Sequence, residues 1–414
     1  MRTDIHIRRP AGGVALINGR TDSIESKSMG HRLLIAAMLS GVEIRVKNTS
    51  EDILATRDCL QALCSVQSKK ELHCRESGST LRFLLPVAAA LGKQVVFVME
   101  GRLSDRPLTG FREALEEHGI VLTKQDNRLS VRGRLSGGTY RLPGDISSQY
   151  VSGLLFALPL LSEDSRIEIT GKLESEPYVH MTLDVLRQAG VRIIELETAR
   201  RFEIPGGQAY HLPVGGSVEE DWSNHAVWLA MGAIGAGELI NVGMRPDSLQ
   251  GDRAICDVLS RFGAMIVTDE TGRDIRAVSG RLRGIKIDAS QIPDLVPILA
   301  VVAAAASGRT RIYNAARLRL KESDRLAAVK EVLTLLGVHI KAEDDCLEIE
   351  GGHSLHGNRV PSFGDHRIVM MAAAAALLCE EEIVIEGAQA VAKSYPHFFA
   401  ECRRFGFVVT EEMV

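Results

Sequence analysis

Lys27-Ser-Met-Gly-His-Arg-Leu-Leu-Ile-Ala-Ala-Met38 opens a pattern that the chain repeats to its end. A polar, partly cationic cluster starts an apolar helix, and a short alternating strand follows at residues 42–46. The pattern returns at Ser77-Gly-Ser-Thr-Leu-Arg-Phe-Leu-Leu85 and Asp145-Ile-Ser-Ser-Gln-Tyr-Val-Ser-Gly-Leu-Leu155. In the second half it returns at Asp221-Trp-Ser-Asn-His-Ala-Val-Trp-Leu229, Ile292-Pro-Asp-Leu-Val-Pro-Ile-Leu-Ala300 and Gly364-Asp-His-Arg-Ile-Val-Met-Met371. The later strands are expected at 94–99, 165–170, 238–242, 310–313 and 382–386.

A second, more polar helix closes each repeat, at 51–63, 108–118, 178–188, 249–262, 324–336 and 398–405. Gly119, Gly190, Gly263, Gly337 and Gly406 stand where a left-handed residue would end such helices. Further strands follow, for example at 128–131 and 346–349. The first helices are apolar nearly all round, as in Ala300-Val-Val-Ala-Ala-Ala-Ala306, so they belong inside. The second helices are amphipathic and belong outside. Repeats of about 70 residues exceed solenoid periods, so each half closes on itself as an α/β domain. A boundary is expected near Val218-Glu-Glu-Asp221, and the strand region at 5–17 could complete either half.

Composition narrows the function. A chain of 414 residues exceeds one ordinary core, which predicts two domains. A net charge of −4 and 5% aromatics oppose nucleic-acid binding by bulk charge or base stacking. No apolar run is long enough for a membrane span, and the start Met1-Arg-Thr-Asp-Ile-His-Ile-Arg-Arg-Pro10 lacks a signal-peptide core, so a cytoplasmic protein is expected. The 7 Cys include no Cys-x-x-Cys, and no zinc spacing occurs; free thiols and no metal are the expectation. No phosphate-binding Gly-x-x-x-x-Gly-Lys, dinucleotide Gly-x-Gly-x-x-Gly or hydrolase Gly-x-Ser-x-Gly elbow is placed to work.

What remains is anion binding at helix N-termini, where free N–H groups and a partial positive charge attract phosphate or carboxylate. Lys27, Ser28 and Arg32 sit on the first start, Gly78, Ser79 and Arg82 on the second, and Ser147, Ser148 and Gln149 on the third. Asp294 opens the fifth and Asp365-His366-Arg367 the sixth. Each alone is usually a cap, but five of six equivalent starts carrying such groups points to polyanionic substrates. Arg317-Leu-Arg-Leu-Lys-Glu-Ser-Asp-Arg325, by composition a solvated charged loop, adds cations and carboxylates. Arg102, Arg106-Pro107 and Lys393-Ser-Tyr-Pro396 flank further turns.

With these residues assembled, the chain resembles the 5-enolpyruvylshikimate-3-phosphate synthase family of enolpyruvyl transferases. The matching pieces run in the family's order: Ser26-Lys-Ser-Met-Gly-His-Arg32, Ser77-Gly-Ser-Thr-Leu-Arg82, Asp105-Arg-Pro107, Ser147-Ser-Gln149, Ser175-Glu-Pro-Tyr178, Ile292-Pro-Asp294, Lys321-Glu-Ser-Asp-Arg325, Asp365-His-Arg367 and Lys393-Ser-Tyr-Pro396. The resemblance implies two similar inside-out α/β barrel domains, each of three repeated units, with an active-site cleft between them. It assigns residues 1–25 plus 220–414 to one domain and 26–219 to the other.

The activity implied is transfer of the enolpyruvyl group of phosphoenolpyruvate to the 5-hydroxyl of shikimate 3-phosphate, with release of phosphate, on the route to chorismate and aromatic amino acids. Carried over by motif, Lys27, Ser28, Arg32, Ser147, Ser148, Gln149, Ser175, Tyr178, Asp294 and Lys321 hold shikimate 3-phosphate. Lys27, Gly78, Arg106, Gln149, Arg325, Arg367 and Lys393 hold phosphoenolpyruvate, with Arg82 in support. Addition then elimination needs a base near the hydroxyl and an acid near C3. Asp294 is the base; Glu322 is the acid and later base, with Lys27 as competing proton donor and His366 assisting. Neither cofactor nor metal is implied, and no partner beyond the two substrates: a monomer, with glyphosate competing for the phosphoenolpyruvate subsite.

Three positions depart from the family pattern: Glu76 where Asn is common, Arg317 where Asn often precedes the Lys-Glu motif, and His31 for a common Asn. The nearest rival is the sister transferase acting on UDP-N-acetylglucosamine, but Gly101-Arg-Leu-Ser-Asp105 lacks the reactive Cys of that loop. The RNA 3′-phosphate cyclases share the repeat but need a nucleotide site and a nucleophilic His that this chain does not show. A non-catalytic polyanion binder would have no reason to keep Lys27, Asp294 and Glu322 together.

Overall fold

The computed structural model describes residues 2–10, 17–65 and 70–414. They fall into two compact units, Met1–Ile24 with Glu219–Val414, and Glu25–Val218. The part of the 5–17 strand region at 11–16 lies outside the described residues.

In the unit Glu25–Val218, the strands Lys70–Arg75 and Val95–Met99 run parallel, joined by the helix Gly78–Ala90. Parallel neighbours require such a crossover. The hairpin Ile120–Gln125 and Arg128–Gly133 then adds antiparallel, its second strand against Val95–Met99. The next repeat builds the same order from Gly138–Pro143, Ser165–Thr170, Arg201–Ile204 and Ile194–Glu197, around the helix Ser148–Ala157. Twelve of the 13 residues of Gly78–Ala90 and nine of the ten of Ser148–Ala157 are buried, so these helices are core on every face. They touch closely because residue 153 is Gly: a Cβ there would strike the Arg82 carbonyl.

The first repeat of this unit departs from expectation. Helices Lys27–Ser40 and Glu51–Cys64 form, but residues 42–46 make no strand. At the end of that stretch Val46 O accepts from the Arg57 guanidinium, and just beyond it the Glu25 carboxylate accepts from the Lys47 and Asn48 N–H groups. Side chains, not a neighbouring strand, take these backbone groups.

The other unit holds the remaining repeats. Lys286–Asp288, Gly308–Tyr313, Leu347–Gly351 and His339–Ala342 repeat the same strand order around the helix Val296–Ala305. In the last repeat Arg359–Pro361 and Ile383–Glu386 are parallel, and Thr3–Arg8 pairs antiparallel with both Ile383–Glu386 and Val408–Met413. The N-terminal strand thus fills the slot that a hairpin strand fills elsewhere, and completes this half. Gly19–Arg20 runs parallel to Leu239–Ile240, in the place that a first strand takes in the other repeats. The helices Trp222–Ile234, Val296–Ala305 and His366–Ala375 are buried nearly throughout.

The polar helices take one buried and one solvent face, but two are shorter than their pattern suggested. The 108–118 helix spans only Phe111–Glu116, because Gly110 (φ 77°) turns the chain and its N–H donates to the Glu113 carboxylate. The 249–262 helix begins as a 3₁₀ turn, Gly251–Ala254, before Ile255–Phe262. All five expected glycines, Gly119, Gly190, Gly263, Gly337 and Gly406, have positive φ.

Candidate active site

In the unit Glu25–Val218, capping and binding residues are interleaved at the helix starts. Ser26, Ser77 and Ser147 accept the first free N–H groups, from Met29, Thr80 and Gln149. That work is structural, and it leaves Lys27, Gly78 and Ser148 as the first residues of their helices. Lys27 Nζ donates to Asp52 Oδ2 at 2.8 Å, an acid on the neighbouring helix that the sequence did not single out. Arg32 is buried and spends three of its five N–H groups on neutral partners: Thr182 Oγ1 at 2.8 Å, and the carbonyls of Ser28 and Tyr178 at 2.7 Å each. It therefore fixes Ser28 and Tyr178 as well as supplying charge. Burial pulls its pKa down to about 10. Ser175 caps the Tyr178 helix in a left-handed conformation (φ 54°), a strained setting for a non-glycine residue.

Two guanidinium groups converge on Gly78. A Cβ there would lie 2.6 Å from Arg106 Nη1 and 2.7 Å from Arg82 Nη1, so only glycine lets them approach the helix start. Arg82 Nη1 also donates to Gln149 Oε1 at 2.9 Å, and Gln149 Nε2 donates to Ser79 Oγ at 2.9 Å. Gly78, Arg82, Arg106 and Gln149 thus form one cationic patch across the second and third helix starts. Glu76, the unexpected acid, packs its carboxylate on the backbone of Gly101. His31, the other departure in this unit, is buried and hydrogen-bonds Thr56 Oγ1 at 2.7 Å.

The other unit gathers carboxylates and cations together. Asp294 Oδ1 accepts from Arg325 Nη1 at 2.7 Å and Lys321 Nζ at 3.1 Å. Arg325 Nε and Nη2 grip both oxygens of Asp365 at 2.8 and 3.2 Å, and Ser323 Oγ adds to Asp365 at 3.0 Å. The Nε–Nη2 edge of Arg325 is therefore taken by Asp365. His366 Nδ1 bonds Glu322 Oε2 at 2.9 Å, while Arg325 lies 4.0 Å from Glu322. The Arg317–Arg325 segment is not a solvated loop: Arg317, Ser323 and Arg325 are buried.

These contacts set the charges. Burial alone would raise the pKa of Asp294, but Lys321, Arg325 and Arg367 outweigh it and hold the carboxyl well below the usual range. Burial lowers Lys321 to about 8 against the pull of Asp294, with Arg317 adding to the depression. Arg367 Nη1 donates to Ser223 O at 2.9 Å, and Lys393 Nζ to Gly364 O at 2.5 Å. Glu322, Asp365 and His366 bring ligand-type atoms within 4.8 Å of one another. Their oxygens are already engaged with Arg325, Ser323 and His366, an arrangement that serves a proton relay better than a cation. Asp52, Asp252 and the gripping role of Asp365 were missed because their partners, Lys27, Ser223 and Arg325, lie 25 to 40 residues away along the chain.

Comparison with known proteins agrees with this chemistry. The family model described as EPSP synthase (3-phosphoshikimate 1-carboxyvinyltransferase) matches residues 13–402. A 3-phosphoshikimate 1-carboxyvinyltransferase of Clostridium kluyveri is 42% identical over 416 residues, covering 95% of this chain and 96% of the relative. One from Clostridium acetobutylicum is 41% identical, covering 93% and 94%. The fold matches that of EPSP synthase from Acinetobacter baumannii, with a TM-score of 0.77 at 23% identity over 99% of this chain and 100% of the other. It also matches the enolpyruvyl transferase NikO from Streptomyces tendae, with a TM-score of 0.78 at 17% identity over 100% and 99%. Motifs, two-domain α/β fold and relatives agree: the chain belongs to the EPSP synthase (3-phosphoshikimate 1-carboxyvinyltransferase) family.

Proposed function

We propose a division of roles by which this chain transfers the enolpyruvyl group of phosphoenolpyruvate to shikimate 3-phosphate, the reaction of its family. The observation that carries it is the pair of carboxylates around Arg325: Asp294 on Nη1, and Glu322 beside Nη2 and bonded to His366. Lys27, Ser28, Arg32, Ser147, Ser148, Gln149, Ser175 and Tyr178, with Asp294 and Lys321, take shikimate 3-phosphate. Lys27, Gly78, Arg106, Gln149, Arg325, Arg367 and Lys393 take phosphoenolpyruvate.

Asp294 removes the proton of the 5-hydroxyl as its oxygen bonds to C2 of phosphoenolpyruvate. Glu322, oriented by His366, delivers a proton to C3. In the tetrahedral adduct Glu322 takes a proton back from the new methyl group, the C2–O bond to phosphate breaks, and the proton held by Asp294 leaves with phosphate. Both carboxyl groups return to their starting state. Asp294 is a weak base while Lys321 and Arg325 crowd it. Substrate anions drawn to those cations offset their charge and raise its basicity, so binding itself readies the base. The cations also stabilise charge on the departing phosphate.

Phosphate release from phosphoenolpyruvate tests the reading. Release is expected only when shikimate 3-phosphate is added; release that depends on UDP-N-acetylglucosamine instead would place the chain with the sister transferase. Among the described residues no helix is long and apolar enough to cross a membrane. We read the protein as a cytoplasmic monomer, which light scattering of the purified protein checks.

A further inference from the structure

The fourth helix start, at Trp222, carries no Lys or Arg, yet residues 222–225 are all buried and held by an unusual set of bonds. Gln250 grips the incoming chain: its Oε1 accepts from Trp222 N at 3.1 Å, and its Nε2 donates to Glu220 O at 2.7 Å. Two residues on, Asp252 is fully buried, and its Oδ2 accepts a very short hydrogen bond from Ser223 Oγ. The carbonyl of the same Ser223 receives Arg367 Nη1 at 2.9 Å. The next residue, Asn224, reaches Ser394, the neighbour of Lys393, at 3.4 Å. This start backs two cations assigned to phosphoenolpyruvate, Arg367 and, through Ser394, Lys393. Among the described residues, two buried polar atoms in the same cluster, Asp252 Oδ1 and Arg367 Nε, have no hydrogen-bond partner.

We propose that Asp252 is a positioning residue for phosphoenolpyruvate: through Ser223 it sets the direction in which Arg367 presents its guanidinium to the substrate. The proposal rests on the assignment of Arg367 to phosphoenolpyruvate. A planar guanidinium recognises carboxylate or phosphate only over a narrow range of angles, so its support matters as much as its charge. The charge of Arg367 also acts on the Asp252 carboxyl. Burial, then the charge of Asp294, raise its carboxyl to about 6, while Arg367 and the Ser223 hydroxyl pull the other way and Asp221 adds to the rise. Near neutrality Asp252 is therefore ionised and faces Arg367 as a counter-charge; below about 6 it takes up a proton and that hold weakens.

The test is steady-state kinetics on the full chain for Asp252→Asn, Ser223→Ala and Arg367→Lys. Asp252→Asn keeps shape and an acceptor for Ser223 but removes the charge. It is expected to raise KM for phosphoenolpyruvate about tenfold, leaving kcat and KM for shikimate 3-phosphate within about threefold. Ser223→Ala keeps the carbonyl that holds Arg367 and is expected to move KM the same way by less. The ratio of wild-type to Asp252→Asn kcat/KM for phosphoenolpyruvate should be large above pH 7 and approach one below about pH 5.5. Because a phosphate monoester itself titrates near 6, that ratio, not either profile alone, is the readout. An unchanged or lowered KM in Asp252→Asn overturns the proposal, as do equal changes for both substrates, which mark a merely structural residue. If Arg367→Lys also leaves KM for phosphoenolpyruvate unchanged, the assignment of Arg367 itself fails. A rise in Arg367→Lys without one in Asp252→Asn sinks only the role of Asp252.

Discussion

Arg32 and Arg82 in one unit and Arg325 in the other are buried in opposite ways, while Arg367, in the same unit as Arg325, keeps a neutral partner in the Ser223 carbonyl. In Glu25–Val218, Arg32 and Arg82 are held by carbonyls, a hydroxyl and an amide, and burial lowers the pKa of both. In the other unit, Arg325 is held by Asp365 and Asp294, and although burial works against it the carboxylates raise its pKa. A buried cation with neutral partners retains its charge for an incoming anion and is costly until one arrives. A buried cation between carboxylates is already balanced, and its field tunes the proton affinity of those carboxylates. The first arrangement suits binding, the second proton transfer. Lys27, paired with Asp52, is the exception in its unit, in keeping with its place as rival proton donor.

The sharpest way to break this comparison is through Glu322. Glu322→Gln should cut kcat by roughly 10²–10⁴-fold, the usual worth of a general acid–base group, and His366→Asn by less, since it only orients Glu322. If Glu322→Gln stays active while Lys27→Met does not, proton delivery belongs to Lys27. Stability separates the arginines next. Arg325→Met strands the buried Asp365 and should cost about 3–5 kcal/mol, whereas Arg82→Met strands no acid and should cost under about 1 kcal/mol, both read from chemical denaturation. Equal losses would mean that the difference in partners has no energetic weight.

A smaller effect is expected at Gly78. Gly78→Ala must push Arg82 and Arg106 outward, since its Cβ would lie within 2.7 Å of each. KM for phosphoenolpyruvate should rise about tenfold, a loss near 1.4 kcal/mol, with little change for shikimate 3-phosphate. Glyphosate inhibition in the unsubstituted chain should be competitive with phosphoenolpyruvate; inhibition constants that do not vary with its concentration would remove glyphosate from this subsite. The mildest probe is acid. Asp294 and Asp365 have folded pKa values below their unfolded ones, so their contribution is present above about pH 4 and is lost as pH falls through the folded values. The unit holding them should therefore lose hydrogen-exchange protection faster than the other as pH drops below 4; parallel loss in both units would contradict the charge-balanced picture.

Much of this was legible along the chain because it is local. The repeat, the apolar inner helices and the five glycine ends are short-range patterns, and they place Lys27, Gly78, Ser147 and Arg367 at helix starts. No strand forms at 42–46; at the end of that stretch the Arg57 and Glu25 side chains, not a partner strand, take the Val46 and Lys47 backbone. Glu76 looked misplaced until its carboxylate was seen against Gly101. Asp252 sits in Gln250-Gly-Asp252, inside the stretch read as the 249–262 helix, and only tertiary contact with Ser223 gives it meaning. Sequence spacing locates cations well and counter-ions poorly, because a counter-ion's partner is chosen by the fold.

The central claim is that one unit's carboxylates move protons while anion binding rests on cations that survive their loss. Calorimetric titration of shikimate 3-phosphate into Asp294→Asn, with turnover measured on the same sample, tests it most directly. The account predicts a dissociation constant within about threefold of the unsubstituted protein and turnover reduced by two or more orders of magnitude. Affinity lost in step with turnover would show that Asp294 holds the substrate rather than deprotonating it, and would contradict the account.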